Sequence, residues 1–296
     1  MTIPLQTVAL GCVALLSLLT CCSGEAQARP KVLCFTAIPD DDPTLLTAKY
    51  TPVADYLAEA LGVPVEYVPV TEYQDSVLLF ENGDVQLAWF GGLTGVQARH
   101  RVPGACAVVQ GEEDAQFYSY FIAHRDTGLT RSAEFPAVLA GRRFTFGSQE
   151  STSGRLMPEF FIRQHTNQAP SEFFGHPNAY AGSHDRTVEL VASGVFEAGA
   201  VSYTKYDRLV REGRVDPDVC RVIWQTPAYA DYNFTAHPTL EDDFGAGFTE
   251  RLRAALLQLR APHLLAAFER QRLIAANNDD FAGIARLARE LGFVRG

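Results

Sequence analysis

The chain has 296 residues, 47% hydrophobic and 20% charged, with 23 Gly and 16 Pro, an ordinary globular composition that excludes disordered, collagenous and coiled-coil classes. Asp and Glu outnumber Lys and Arg 35 to 25, for a net charge of −10, so no nucleic-acid partner is expected by way of phosphate neutralisation. Six Cys, none in a CxxC pair, are too few for a disulfide scaffold, and the length suggests two domains.

Residues 1–24 carry no charged side chain and contain the apolar run Val8–Leu19. That run is shorter than the roughly 20 apolar residues of a membrane span and fits the about 7–15 of a secretory leader. Ala26-Gln27-Ala28 fits an A-x-A cleavage site, so residues 1–28 read as a signal peptide. Leu18-Leu19-Thr20-Cys21 resembles a loose lipobox that would place a lipid anchor on Cys21. Either exit puts the mature chain in the periplasm or at the cell surface. There it keeps Cys34, Cys106 and Cys220, in strand-like runs that suit single buried thiols; a Cys34–Cys106 disulfide is the alternative.

The mature chain alternates strand and helix patterns. Lys31–Ile38 reads as a strand, Thr51-Pro52 as a helix start that Gly62 ends, and Val63–Val70 as a strand. Thr71 with Gln74 reads as a capping box for a helix reaching Gly83. Val85–Phe90, Ala105–Val109 and Phe117–Ala123 are strands. A second set follows: strand Arg143–Phe146, helix Ser153–His165, strand Glu172–Phe174, helix Arg186–Ser193, and strands Ala198–Ser202 and Val219–Trp224. Helices beyond Phe248 close the chain. Two alternating sets predict two α/β lobes with parallel sheets and a ligand cleft between them.

Four groups of residues bear chemistry. Ser151-Thr152-Ser153-Gly154, between a strand and a helix, combines hydroxyls with the N–H groups of a helix N-terminus, which suits an anion; the same residues could act only as caps. Gly182-Ser183-His184-Asp185 opens the next helix, where the dipole favours a neutral His184 able to donate one ring N–H. Pro227–Phe234, with Tyr229, Asp231 and Tyr232, lines either a cleft or a packed chain crossing. Tyr73 begins its helix with a hydroxyl free to reach a ligand, unlike strand aromatics such as Trp89, Phe90 and Tyr120, which read as core. Asp40-Asp41-Asp42 lacks the Gly and closing Glu of a calcium loop and reads as helix-start acids.

Together these motifs resemble the periplasmic phosphate, phosphite and phosphonate-binding proteins of ABC importers over residues 31–260. The anchors are Asp84-Val85-Gln86-Leu87-Ala88-Trp89-Phe90-Gly91, Ser151-Thr152-Ser153-Gly154 and Gly182-Ser183-His184-Asp185. The stretches Ile38-Pro39-Asp40, Ala88–Thr94 and Tyr229–Phe234 are similar to a branch that carries a selenate-binding label. The resemblance implies that Ser151, Thr152, Ser153 and His184 hold an oxyanion, with Tyr73, Tyr118 and Asp231 facing it. At the crossover strand, where the family often has Tyr before the Ser, the chain reads Phe117-Tyr118-Ser119, which leaves the contact at Tyr118 as a departure. Where aminophosphonate binders carry a Glu for the amine, Ser202-Tyr203-Thr204-Lys205 has none.

The expected fold is therefore α/β, a two-lobe periplasmic-binding-protein fold of type II with two hinge crossovers near Ile122 and Tyr232. Residues 29–122 plus 234–296 form lobe 1 and residues 123–233 form lobe 2. The expected function is capture of a small oxyanion for an ABC permease and its ATPase, without catalysis, metal or cofactor. A selenate-type binder on the same fold is one alternative. An exported hydrolase using Ser151 or Ser153, His184 and Asp231 is another, although the chain lacks a G-x-S-x-G elbow.

Overall fold

The structure is a computed structural model that describes residues 1–2, 31–41 and 43–294; the apolar run and cleavage site expected of a leader, and Cys21, lie outside the described residues. Residues 31–296 form one compact unit. In chain order its strands are β1 (Leu33–Ala37), β2 (Val65–Tyr67), β3 (Leu87–Phe90), β4 (Cys106–Gly111), β5 (Ser119–His124), β6 (Phe144–Phe146), β7 (Ala179–Tyr180), β8 (Ala198–Ser202), β9 (Cys220–Gln225), β10 (Asn233–Ala236) and β11 (Leu273–Ala275). The helices are α1 (Pro43–Leu61), α2 (Tyr73–Glu81), α3 (Gly92–Arg101), α4 (Met157–Thr166), α5 (Pro170–Phe174), α6 (His184–Ala192), α7 (Tyr203–Arg211), α8 (Thr239–Phe244), α9 (Phe248–Gln258), α10 (Pro262–Leu265) and α11 (Ala282–Glu290).

The strands form two mixed sheets, ordered β11-β4-β10-β3-β1-β2 and β7-β6-β8-β5-β9. In the first, β1 runs parallel to β2 and β3, and β10 lies antiparallel between β3 and β4. In the second, β6 runs parallel to β7 and β8, and β5 is antiparallel to β8 and β9. Strands such as β3 (LAWF) and β8 (AGAVS) are buried along their whole length, as a sheet covered by helices on both faces requires. The chain passes between the sheets twice, after β4 and after β9. The two crossings pair, with N–H···O bonds of 2.8 Å in both directions between Phe117 and Tyr229.

Several sequence-based expectations need correction. Ser119–Ile122 pairs only within the second sheet, so the first crossing falls before Ser119 and not near Ile122. Helix α1 starts well before Thr51 and holds Pro52 in its interior, at an exposed position where water can solvate the carbonyl that proline leaves unbonded. The capping box at Thr71 is not formed: α2 starts at Tyr73 after Glu72, with no side-chain cap. Glu172–Phe174 belongs to α5 and is not a strand, because Pro170 starts a helical turn, Glu172 Oε2 accepts from Ala169 N–H at 2.9 Å, and Gly175 ends the turn at φ 72. Cys34 and Cys106 lie on β1 and β4, with β10 and β3 between them. At about 4.8 Å per strand they are roughly 14 Å apart, beyond disulfide reach, and the three described cysteines are free.

Asp40 and Asp41 are not helix-start acids. Both are buried, and they tie the loop after β1 to α7: Lys205 Nζ lies 3.3 Å from Asp40 Oδ2, and Arg208 Nη2 lies 3.2 Å from Asp41 Oδ1.

Candidate oxyanion site

Three helix N-termini converge between the sheets. The first follows β6. Ser151 caps a π-helical turn, Thr152–Leu156, by accepting from Gly154 N–H at 2.9 Å. The turn is widened by a Leu156 N–H bond to Ser151 O of 3.0 Å, a local geometry that recurs at functional sites. The second is α6, whose cap Ser183 accepts from Arg186 N–H at 3.3 Å. A Cβ on Gly154 would lie 2.9 Å from Ser151 Oγ and 3.1 Å from His184 Cε1, so only glycine lets these two termini come so close. Ser153 Oγ then sits 3.5 Å from His184 Nε2. The third is α3, from the other sheet: Gly92 N–H donates to Asp231 Oδ1 and Leu93 N–H to Thr152 Oγ1, both at 2.9 Å. Thr152 therefore bridges the two sheets.

The residues around this junction are almost fully buried: Tyr73, Ser151, Thr152, Ser153, His184 and Asp231 are each 2% exposed or less. Asp231 Oδ2 and Tyr73 Oη are enclosed without a hydrogen bond, which is unusual for buried polar atoms. Burial pushes the Asp231 carboxyl up to about 7, against the lowering effect of Gly92 N–H and Thr152. Burial pulls His184 down to about 4, with Asp40 opposing, so its ring is neutral at pH 7. His184 Nδ1 accepts from Ser202 N–H at 3.3 Å, which leaves the single ring proton on Nε2, facing Ser153. The Tyr73 hydroxyl is held protonated first by burial, then by Asp40 and Asp231. The cluster thus offers hydroxyls, a neutral imidazole N–H and helix dipoles to an anion, together with one carboxyl oxygen that can accept or share a proton.

The structure brings six of the seven residues expected from sequence into this cluster. Tyr118 stands apart, half-buried and stacked on Tyr203 at 4.0 Å between ring centroids. Its neighbour Ser119 points inward instead, donating to Ser153 O at 2.7 Å and touching Tyr229 Oη at 2.5 Å. Ser119 and the N-terminus of α3 were missed from sequence, and Tyr229 was named only as one of a group lining a cleft or a packed crossing. The Gly91-Gly92 pair ending β3 was the available signal, and it reads as a strand end because glycine has poor helix propensity.

The hydrolase alternative is overturned. A Ser-His-Asp triad needs His Nδ1–H to donate to the carboxylate; here Nδ1 is an acceptor from Ser202 N–H, and Asp231 Oδ1 is engaged by α3.

Two mixed α/β sheets, two chain crossings and a buried polar cluster at converging helix N-termini define a periplasmic binding protein. Residues 35–281 match the family of ABC-transporter phosphonate periplasmic substrate-binding proteins, and the chain belongs to that family, whose members bind solutes for transport and are not enzymes. The chain is 36% identical over 283 residues, 92% of its own length and 94% of the relative's, to the "Probable ABC transporter phosphite binding protein PhnD1" of Prochlorococcus marinus (strain MIT 9301). The structure of that PhnD1 in complex with methylphosphonate superposes with a TM-score of 0.84, covering 90% of this chain and all of that one. The phosphate-import protein PhnD of Mycolicibacterium smegmatis is 29% identical over 250 residues, 78% of this chain and 76% of that protein.

Proposed function

We propose that this chain captures a small phosphorus oxyanion that carries a dissociable proton, such as phosphite or methylphosphonate, and hands it to an ABC permease served by its ATPase. Ser151, Thr152, Ser153, His184 and Tyr73 act as donors to the anion, and Asp231 is the proton-sensing acceptor. The lobes are the two sheets with their helices, and the paired crossings around Phe117 and Tyr229 act as the hinge on which the cleft closes. Residues 1–28 direct export, with Cys21 as the alternative site of a lipid anchor.

The observation that carries the ligand class is Asp231, a buried carboxyl with one oxygen unpartnered beside three helix N-termini. A carboxylate facing a fully deprotonated anion is repulsive, by several kcal/mol at a desolvated contact. Facing an O–H it makes a short charge-assisted bond. Phosphite and phosphonates present such an O–H near neutral pH, whereas sulfate and selenate do not. Similarity to one relative, named as phosphite-binding and solved in complex with methylphosphonate, supports the same class.

Calorimetric titration with phosphite, methylphosphonate, phosphate, sulfate and selenate tests this. Phosphite or methylphosphonate is expected to bind at least tenfold tighter than sulfate or selenate, and Asp231→Asn to weaken the phosphorus ligands by about tenfold or more, the loss of one hydrogen bond to a charged group. Tight selenate binding with no response to phosphite or methylphosphonate would move the chain to the selenate reading.

A further inference from the structure

Lys205 lies in the first turn of α7, three residues after Ser202, whose N–H orients the His184 ring. Its side chain is 7% exposed, and its ammonium touches two carboxylates, Glu269 Oε1 at 2.9 Å and Asp40 Oδ2 at 3.3 Å. Asp40 Oδ2 also accepts from the hydroxyl of Tyr232 at 2.8 Å, and Tyr232 follows Asp231 in the chain. Asp40 Oδ1 is buried without a hydrogen bond. The Tyr232 hydroxyl on Asp40 and the Ser202 N–H on His184 put this ion cluster at the flank of the anion site, and Asp40 accordingly favours the protonated forms of His184 and Tyr73. Glu269 holds its place in a left-handed backbone conformation at φ 58, one that an ordinary side chain adopts only when its surroundings compensate.

An ammonium on a short carbon stem, seated between two buried carboxylates beside an oxyanion site, has the chemistry of an aminoalkylphosphonate. The chain supplies that ammonium itself. We propose that Lys205 is the specificity-determining residue that excludes aminoalkylphosphonates, by filling with its own ammonium the Asp40–Glu269 seat that the ligand's amine would need. The inference rests on the phosphorus-oxyanion reading above. A second ammonium entering beside Lys205 would meet like charge, because Lys205 and Arg208 already occupy the Asp40–Glu269 pair, and burying an uncompensated cation is costly. Removing Lys205 takes the shared cation from Asp40 and leaves Glu269 with Arg208 Nε at 2.9 Å, and a ligand ammonium can then take the vacated place.

The test compares methylphosphonate with 2-aminoethylphosphonate by calorimetry on the wild type, Lys205→Ala and Lys205→Met, with circular dichroism to establish folding. In the wild type 2-aminoethylphosphonate should bind at least tenfold more weakly than methylphosphonate; a smaller gap overturns the inference. In whichever variant folds, the affinity ratio should shift by tenfold or more toward 2-aminoethylphosphonate; a ratio that stays within tenfold of the wild-type value overturns it too. If neither variant folds, the wild-type ratio alone decides. A wild type that binds no phosphorus anion overturns the functional reading, and with it this inference, and is distinct from a wild type that binds both ligands alike.

Discussion

At Asp231 and His184 two buried titrating groups push in opposite directions. Asp231 has its carboxyl raised from 3.8 to about 7, so between those values the folded protein holds a proton that the unfolded chain has released. Its contribution to stability therefore falls as pH rises through that window and is level above it. His184 is lowered from 6.5 to about 4, so the unfolded chain takes up a proton that the folded protein refuses. Its contribution is fully present above about 6.5 and is lost as pH falls toward 4. In the wild type the two effects nearly cancel between about pH 4 and 6.5, so single variants must separate them. Urea unfolding across pH 4–8 should show the stability advantage of wild type over Asp231→Asn shrinking with rising pH, and that over His184→Gln growing, each by up to about 1.4 kcal/mol per pH unit in mid-window. Parallel curves would mean that neither group titrates as its burial implies.

The elements meet at the site only because small residues let backbones approach. Gly154 lies in the π-helical turn, where a Cβ would press on Ser151 Oγ at 2.9 Å, His184 Cε1 at 3.1 Å and Gly147 Cα at 3.2 Å. Gly154→Ala must separate the π turn from the start of α6, and about 1–3 kcal/mol of stability should be lost, as overpacking generally costs. Anion affinity should fall at least tenfold, since the donors of both termini would no longer face one point. Gly283, exposed in α11 with nothing within 4 Å of its Cβ position, is the control. Gly283→Ala should be neutral or stabilise by up to about 1 kcal/mol, the helix preference for alanine, with affinity unchanged. Thermal unfolding and titration of both variants check the pair.

Across the whole molecule, Arg270 and Asp114 join the two crossings. Arg270 makes a two-pronged bond to Asp114, with Nη2–Oδ1 at 2.6 Å and Nε–Oδ2 at 2.8 Å. The guanidinium lies between Phe117 of one crossing, at 5.3 Å, and Tyr232 at the end of the other, at 4.9 Å. Asp114 O in turn accepts from Asp231 N–H at 3.0 Å, so the same pair that braces the crossings also positions Asp231. Arg270→Met should strand a buried carboxylate and cost about 3–5 kcal/mol in urea unfolding, and adding Asp114→Asn should recover part of that loss. A single variant as stable as the wild type would show that the crossings are held by their backbone pairing alone.

The sequence by itself determined the local identities. The period of its apolar residues placed β1, β3, β8 and β9, and hydroxyl-rich starts placed the N-termini of the π turn and α6, because these signals depend on neighbours a few residues apart. It misjudged α3, where two glycines start a helix that local propensity does not favour, and α5, whose five residues are too few to show a helical period, and it passed over β10 and β11, strands held by pairing with distant β3 and β4. Only the tertiary structure decided which residues face one another. It turned Ser119 inward and Tyr118 outward, placed a third helix N-terminus opposite Thr152, and converted Asp40 and Asp41 from apparent helix-start acids into partners of Lys205 and Arg208. Those partners lie more than 150 residues along the chain. Charge pairing over that separation is a property of the packed sheets and leaves no periodic or motif signal for the sequence to carry.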